Sequence, residues 1–248
     1  MTTYRLDIAY DGSPFAGWAA QPGLRTVQGE LDAGLERILG ERVRLTVAGR
    51  TDTGVHAWGQ VASFELARAV DVDLRRALDA VVADEISVKA ANPVADGFDA
   101  RRDARSRTYC YRVLASGVAS PFERGRALWW PYPLEREPLD ACAAAVVGTH
   151  DFTAFTPTQT EHVRFERHVA MCEWREGGGI GPDPVLELWI EADAFMRNMV
   201  RALVGTMLEV GGGRRTLEDF TGLLDGAPRE RGGETAPAHG LYLASVRY

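Results

Sequence analysis

The sequence predicts a mixed α/β (α+β) protein built from two similar halves. Three observations predict it: strand-like and helix-like periodicities in the order β-α-β-β-α-β, repetition of that order beyond residue 100, and turn-forming segments between the periodic runs. Such a doubled split β-α-β pattern implies ferredoxin- or RRM-like halves, 1–100 and 101–248. Their sheets would join edge to edge into one continuous, mainly antiparallel sheet flanked by helices, with a cleft between the halves for an active site.

The elements follow in order. Tyr4, Leu6, Ile8 and Tyr10 alternate with polar or small residues until Asp11-Gly12 breaks the run, which makes the first strand. Val27, Leu31, Leu35, Ile38 and Leu39 recur at helical spacing, with Thr26 placed as N-cap and Gly40 as terminator. Val43 to Val47 alternates again, and a further strand runs from Gln60 to Glu65. Asp73 to Val82 reads as a helix and Ile86 to Ala90 as the fourth strand of this half.

The second half repeats the order. Tyr109–Leu114 is a strand, Leu139–Val147 a helix, His168–Arg175 and Val185–Glu191 strands, Phe195–Val210 a helix and Leu241–Tyr248 a strand, with a short extra helix at Thr216–Leu224. Met196, Met199, Val200, Leu203, Val204 and Met207 give the long helix its apolar face, Asp193 is its candidate N-cap and Gly211 its candidate C-cap. Two Gly-rich passages, "REGGGIGPDP" and "DGAPRERGGETAPAHG", read as a hairpin connection and a longer exposed surface loop.

Bulk composition narrows the function. Acidic residues outnumber basic ones, 35 to 28, for a formal charge of -7. That argues against a nonspecific nucleic-acid coat but leaves room for local basic stripes. Cys110, Cys142 and Cys172 are odd in number and never form C-x-x-C, so neither a disulfide framework nor a thiolate zinc site is indicated. "MTTYRLDIAY" runs straight into a strand, and no apolar run approaches the roughly 18 residues of a membrane span. A soluble cytoplasmic protein is expected.

Chemistry-bearing residues concentrate in three places. "GRTDTGVHA" (Gly49–Ala57) puts Asp52 beside arginine and glycine; by composition alone, Asp52 could be a turn former and His56 a satisfied strand-end side chain. "ARRDARSRTYCYRV" carries Arg101, Arg102, Arg105, Arg107 and Arg112 interleaved with Tyr109 and Tyr111. Arginines for phosphate and an aromatic face for an unstacked base suit single-stranded RNA, although two tyrosines on one strand face also suit plain packing. Third, Arg197 and Arg201 lie four apart in the first turns of the long helix, where cations oppose the macrodipole and call for a nearby anion. No phosphate-cradling loop, dinucleotide fingerprint, H-E-x-x-H or serine triad spacing competes, so neither a metal nor a cofactor is expected.

These segments, together with "YDGSPFAGW", "AGRTDTGVHAWGQVASF", "FDAR", "RTYCYRV", "DFTAF", "FMRNMVRALVG" and "APAHGLYLASVRY", come in the order of the motifs of the bacterial tRNA pseudouridine synthase A family, which the chain resembles nearly end to end. The resemblance implies isomerisation of uridine to pseudouridine at positions 38, 39 and 40 of the tRNA anticodon stem-loop, by a cofactor-free homodimer. It makes Asp52 the catalytic aspartate, Tyr109 the active-site tyrosine and Arg201 the arginine paired with the aspartate. Arg50, His56, Arg101, Arg107 and Arg197 are then the candidate RNA-binding residues. Thr53 stands where the family usually has Ala, Ala19 where Gln is common, and Arg107-Thr108 in place of the usual basic pair or Lys; none removes a catalytic group. The competing readings are the same isomerisation on another RNA or a small uridine compound, and a noncatalytic RNA-binding or folding module.

Overall fold

The computed structural model describes residues 1–160, 163–179 and 184–248, which form an α/β protein with mostly antiparallel strands. Contacts divide the chain into two compact units, Met1–Arg105 with Tyr242–Tyr248, and Ser106–Leu241.

In the first unit, strand β1 (Thr2–Tyr10) is followed by helix α1 (Val27–Leu39), β2 (Thr46–Val47), β3 (His56–Leu66), α2 (Leu74–Asp79) and β4 (Ile86–Val94). Both helix caps anticipated for α1 are present. Thr26 Oγ1 accepts from the Gly29 amide at 3.2 Å, and Gly40 closes the helix at φ 74°. Helix α2 is shorter than its pattern: Asp73 Oδ1 caps the Arg76 amide at 3.0 Å, and beyond Asp79 the Val81 and Val82 amides both turn back to the Leu78 carbonyl.

β1 pairs antiparallel with β3 along Thr2↔Leu66 to Tyr10↔Ala57 and with β4 on its other edge. The buried side of β1 meets α1 and α2 in a core that holds Leu6, Ile8, Leu31, Leu35 and Leu78 at 0% exposure. Each such side chain contributes about 1.5–3 kcal/mol of burial free energy. The free edge of β3 is shared: β2 covers only Ser63 and Ala62.

The second unit contains β5 (Ser106–Ala115), β6 (Leu128–Trp130), α3 (Arg136–Val146), β7 (Gly148–Asp151), β8 (Glu166–Gly177), β9 (Val185–Ala192), α4 (Met199–Gly211) and α5 (Leu217–Thr221). β9 lies between β5 and β8, both antiparallel to it. β7 continues outside β8, and β6 runs parallel along the end of β5. The β8–β9 pairing reaches Gly177↔Val185, as a hairpin requires; the middle of its connection, 180–183, lies outside the described residues. Helices α3 and α4 cover the sheet with Leu139, Cys142, Leu203, Val204 and Met207 fully buried. All three cysteines are free and buried.

Three features differ from the sequence reading. The last strand, β10 (Leu241–Arg247), has a neighbour that its alternation did not indicate, and from Tyr242 onward it groups with the first unit. Tyr242 and Leu243 pair in parallel with His56 and Ala57, on the part of the β3 edge that the two-residue β2 leaves uncovered.

Helix α4 starts later than Phe195. Asp193 spends its carboxylate on the Ala194 and His168 amides, and Asn198, at φ 61°, is the residue that precedes the helix. Arg197 therefore lies outside the helix.

The passage 225–240, anticipated as an exposed loop, is strapped along α4. Gly233 donates to Thr206 Oγ1 (3.0 Å), and the Glu234 amide to Glu209 Oε1 (3.3 Å). A Cβ on Gly205 would lie 1.8 Å from the Glu234 carbonyl oxygen, so only glycine lets the strap lie this close. Among the described residues no helix is long and apolar enough to cross a membrane.

Candidate active site

In the first unit, the segment before β3 is fixed by its backbone and by a buried polar chain. The Trp18 amide donates to the Thr51 carbonyl at 3.0 Å, and the Val55 amide to the Asp52 carbonyl at 3.1 Å, which closes a turn around Thr53-Gly54. Gly12 presses on the same turn: a Cβ there would stand 2.0 Å from the Val55 carbonyl oxygen. The loop can therefore move little without breaking β1 or the "GSPFAGW" segment after it.

Side chains complete the hold. Tyr10 Oη and Thr51 Oγ1 share a hydrogen bond of 2.8 Å, and Gln60 Nε2 donates to Tyr10 Oη (3.2 Å) and to the Gly49 carbonyl (2.8 Å). Tyr10, Thr51 and Gln60 are all buried. Burial pushes the Tyr10 hydroxyl up to about 12, against the opposing hydrogen bonds of Thr51 and Gln60, so it remains a neutral phenol at physiological pH. Asp52, next in the chain to Thr51, is half-buried, and Arg50 on the other side of Thr51 is exposed.

His56 is 3% exposed. Its Nδ1 accepts from the Gly12 amide at 3.1 Å, and its ring stacks on Tyr242 with centroids 4.6 Å apart. Gly12, Asp11 (Oδ1 3.1 Å from the same Nδ1) and Tyr242 thus hold His56 at the base of the loop. The tyrosine it rests on comes from β10, so the last strand braces the loop's exit into β3.

In the second unit, Tyr109 is buried on β5 and meets Phe195 edge to face at 5.0 Å. Tyr111, two residues on, is fully buried and donates its hydroxyl to the Pro237 carbonyl at 2.8 Å; desolvation raises its pKa well above the usual tyrosine value. Arg201, in the first turn of α4, donates from Nε to the Ala236 carbonyl (2.7 Å) and from Nη1 to Asn198 Oδ1 (3.0 Å). Its own carbonyl accepts from the Ala236 amide at 3.1 Å. The guanidinium is thus gripped by the strap on one side and by the residue before the helix on the other.

The remaining arginines separate into exposed and committed groups. Arg101 is exposed, Arg107 Nη1 donates to the Asp193 carbonyl (2.9 Å), and exposed Arg197 Nη2 donates to the Gln159 carbonyl (2.9 Å). Arg102 is paired with Asp103 at 2.9 Å. Arg112 is not available to phosphate: it is buried, ion-paired to Glu123 at 2.8 Å and to Glu187 at 3.3 Å. A buried guanidinium needs such partners because desolvating an unpaired charge is costly.

Sequence reasoning passed over Tyr10, Gln60, Asn198 and Ala236. The first two sit inside quoted motifs at buried alternating positions, so a polar residue on a core face was the available signal. Asn198 and Ala236 left none, since their value is conformational. Among the described residues, no group of three or more His, Cys, Asp or Glu side chains could hold a metal ion.

Comparison with known proteins covers both units. A family model described as tRNA pseudouridine synthase matches residues 142–248. The tRNA pseudouridine synthase A of Frankia casuarinae is 44% identical over 98% of this chain and 88% of its own length. That of Halalkalibacterium halodurans is 42% identical over 95% and 89%, and that of Allorhizobium ampelinum 37% identical over 100% and 95%. Identity at this level over nearly the whole length means that the chain belongs to the tRNA pseudouridine synthase A family, whose members are isomerases.

Proposed function

We propose that this enzyme converts uridine to pseudouridine in tRNA, at positions 38, 39 and 40 of the anticodon stem-loop, with Asp52 as the essential group. The observation that carries the reading is the Asp52 loop itself: a half-buried carboxylate beside Thr51, whose hydroxyl is tied to Tyr10 and through it to Gln60, in a backbone held by Trp18 and Gly12. A turn with no chemistry to do would not need a buried hydrogen-bond chain beneath it.

The reaction breaks the N1–C1′ bond, rotates the freed ring and joins C5 to C1′; the proton on C5 leaves and N1 gains one. Asp52 acts at the sugar, as nucleophile at C1′ or as the base that assists elimination. Ionisation is required in either case, and Arg201 supplies the positive charge that favours the carboxylate form. The double grip of Ala236 and Asn198 on Arg201 supports this role, because a charge that must be aimed benefits from being held. Tyr109, steadied by Phe195, is the stacking and proton-handling partner for the extruded base. Exposed Arg50, Arg101 and Arg197, together with Arg107, contact the RNA backbone, while His56 supports the loop from below. The protein works without a cofactor, in the cytoplasm, as a homodimer.

The test is tritium release from tRNA transcripts labelled at uridine C5, with wild type and Asp52→Asn compared and the modified positions mapped. Release confined to the anticodon stem-loop and abolished by Asp52→Asn is the expected result. Release that survives Asp52→Asn would overturn the catalytic assignment. Release from other stems would overturn the site.

A further inference from the structure

Asn198 is the sole non-glycine residue with positive φ among the described residues, at φ 61° and ψ 0°. Side chains avoid this left-handed region, and asparagine is among the few that enter it. A strained residue persists where the surroundings use the conformation. Here the obvious use is missing. An asparagine before a helix ordinarily caps it by accepting a backbone amide, and Asn198 makes no side-chain cap bond to α4.

Its amide oxygen goes elsewhere. Oδ1 accepts from Arg201 Nη1 at 3.0 Å, three residues along the chain. On its other side the same guanidinium donates Nε to the Ala236 carbonyl, and the Ala236 amide donates back to the Arg201 carbonyl. Two oxygens from different segments thus fix the guanidinium in its plane. Both acceptors are neutral oxygens.

We propose that Asn198 is a positioning residue of the isomerisation: it takes up the left-handed conformation so that its amide oxygen aims the Arg201 guanidinium. The inference rests on the reading of Arg201 as the charge that serves the reaction. It adds a residue that acts through Arg201. Because the strap carries the second acceptor, Asn198 and Ala236 form one device, with the asparagine as its adjustable half.

Asn198→Gly isolates the idea, since glycine adopts the left-handed conformation freely and deletes only the amide. Single-turnover tritium release, tRNA affinity by filter binding and Tm are measured for wild type, Asn198→Gly, Arg201→Ala and the double variant. Asn198→Gly is expected to slow turnover on the order of 10- to 100-fold, as misplacement of a catalytic group does, with affinity and Tm held. In the Arg201→Ala background it is expected to cost nothing further. Wild-type turnover in Asn198→Gly, a parallel fall in Tm, or an undiminished extra loss on top of Arg201→Ala would each overturn the proposal. Full activity in Arg201→Ala would remove the Arg201 reading itself, whereas an inactive Arg201→Ala beside an active Asn198→Gly would remove the positioning role alone.

Discussion

Tyr10→Phe tests the buried chain beneath Asp52 most directly. The substitution removes one oxygen from a site that is 4% exposed and leaves the ring in place beside Trp18. Two groups lose a partner. Gln60 Nε2 keeps its bond to the Gly49 carbonyl at 2.8 Å, but Thr51 Oγ1 loses the 2.8 Å contact to Tyr10. One buried hydroxyl deprived of its bond costs about 1–3 kcal/mol. For a chain of this size each kcal/mol moves Tm by about 2–4 °C, so a fall of roughly 2–12 °C is expected. Thr51→Val removes the other end of the bond. In a double-mutant cycle read by urea denaturation, the two changes together should cost less than the sum of each alone, with a coupling of about 0.5–1.5 kcal/mol. Turnover should fall with either single change, because Thr51 adjoins Asp52. The linkage has a sign. With its folded value raised to about 12 by burial, above the unfolded value of about 10, Tyr10 contributes fully below pH 10 and loses its contribution as pH rises toward 12. Tyr10→Phe should therefore shed part of the alkaline sensitivity of the wild type. Strict additivity in the cycle, or an unchanged Tm in Tyr10→Phe, would refute the reasoning.

Three further outcomes follow from the geometry. Gly205→Ala drives a Cβ into the Glu234 carbonyl at 1.8 Å; the strap must shift, at a cost of about 1–3 kcal/mol, and turnover should drop further than tRNA affinity. Kinetics and Tm on the same preparation check both halves of that statement. Glu123→Ala removes the closest ion-pair partner of the buried Arg112 while Glu187 and the Gly178 and Arg126 carbonyls stay in place; a loss of about 3–5 kcal/mol by chemical denaturation is expected, and a loss under 1 kcal/mol would mean the pair is dispensable. His239 is depressed below its ordinary value, chiefly by burial, with Arg201 adding repulsion. Its stability contribution is present above the unfolded pKa of about 6.5 and is lost as pH falls below it, so urea midpoints at pH 7 and pH 5 should differ more in wild type than in His239→Gln.

How far the sequence spoke depended on whether a residue's task was local. Thr26 and Gly40 announced α1 because a cap is set by the residues beside it, and both caps formed as expected. The alternation of Tyr4 to Tyr10 announced β1 for the same reason. The last strand was equally legible as a strand, but alternation carries no record of which edge it will meet. Its meeting with β3 falls on His56 and Ala57, the part of that edge that the two-residue β2 leaves open to Tyr242 and Leu243. Arg112 shows the converse error. In a row of arginines it looked like a phosphate ligand, and only Glu123 and Glu187, brought in by the fold, make it a buried ion pair.

The start of α4 joins these two cases. Asp193 has the right chemistry for an N-cap and lies upstream of the apolar run, so propensity places the helix there. The chain instead defers the helix to Met199 and puts Asn198 into a backbone state that propensity disfavours. A helix begun at Asp193 would carry Arg197 and Arg201 together on its first turns, both against the macrodipole. Starting at Met199 releases Arg197 to the Gln159 carbonyl and keeps Arg201 alone at the helix start, where the Asn198 oxygen and the Ala236 carbonyl offset its unfavourable placement. The local rule fails at the residue next to the proposed catalytic arginine, and it fails in the direction that isolates and holds that charge. Sequence rules of this kind break where a fold gives up local preference for function, so the break at Asn198 is itself a reason to look for chemistry there.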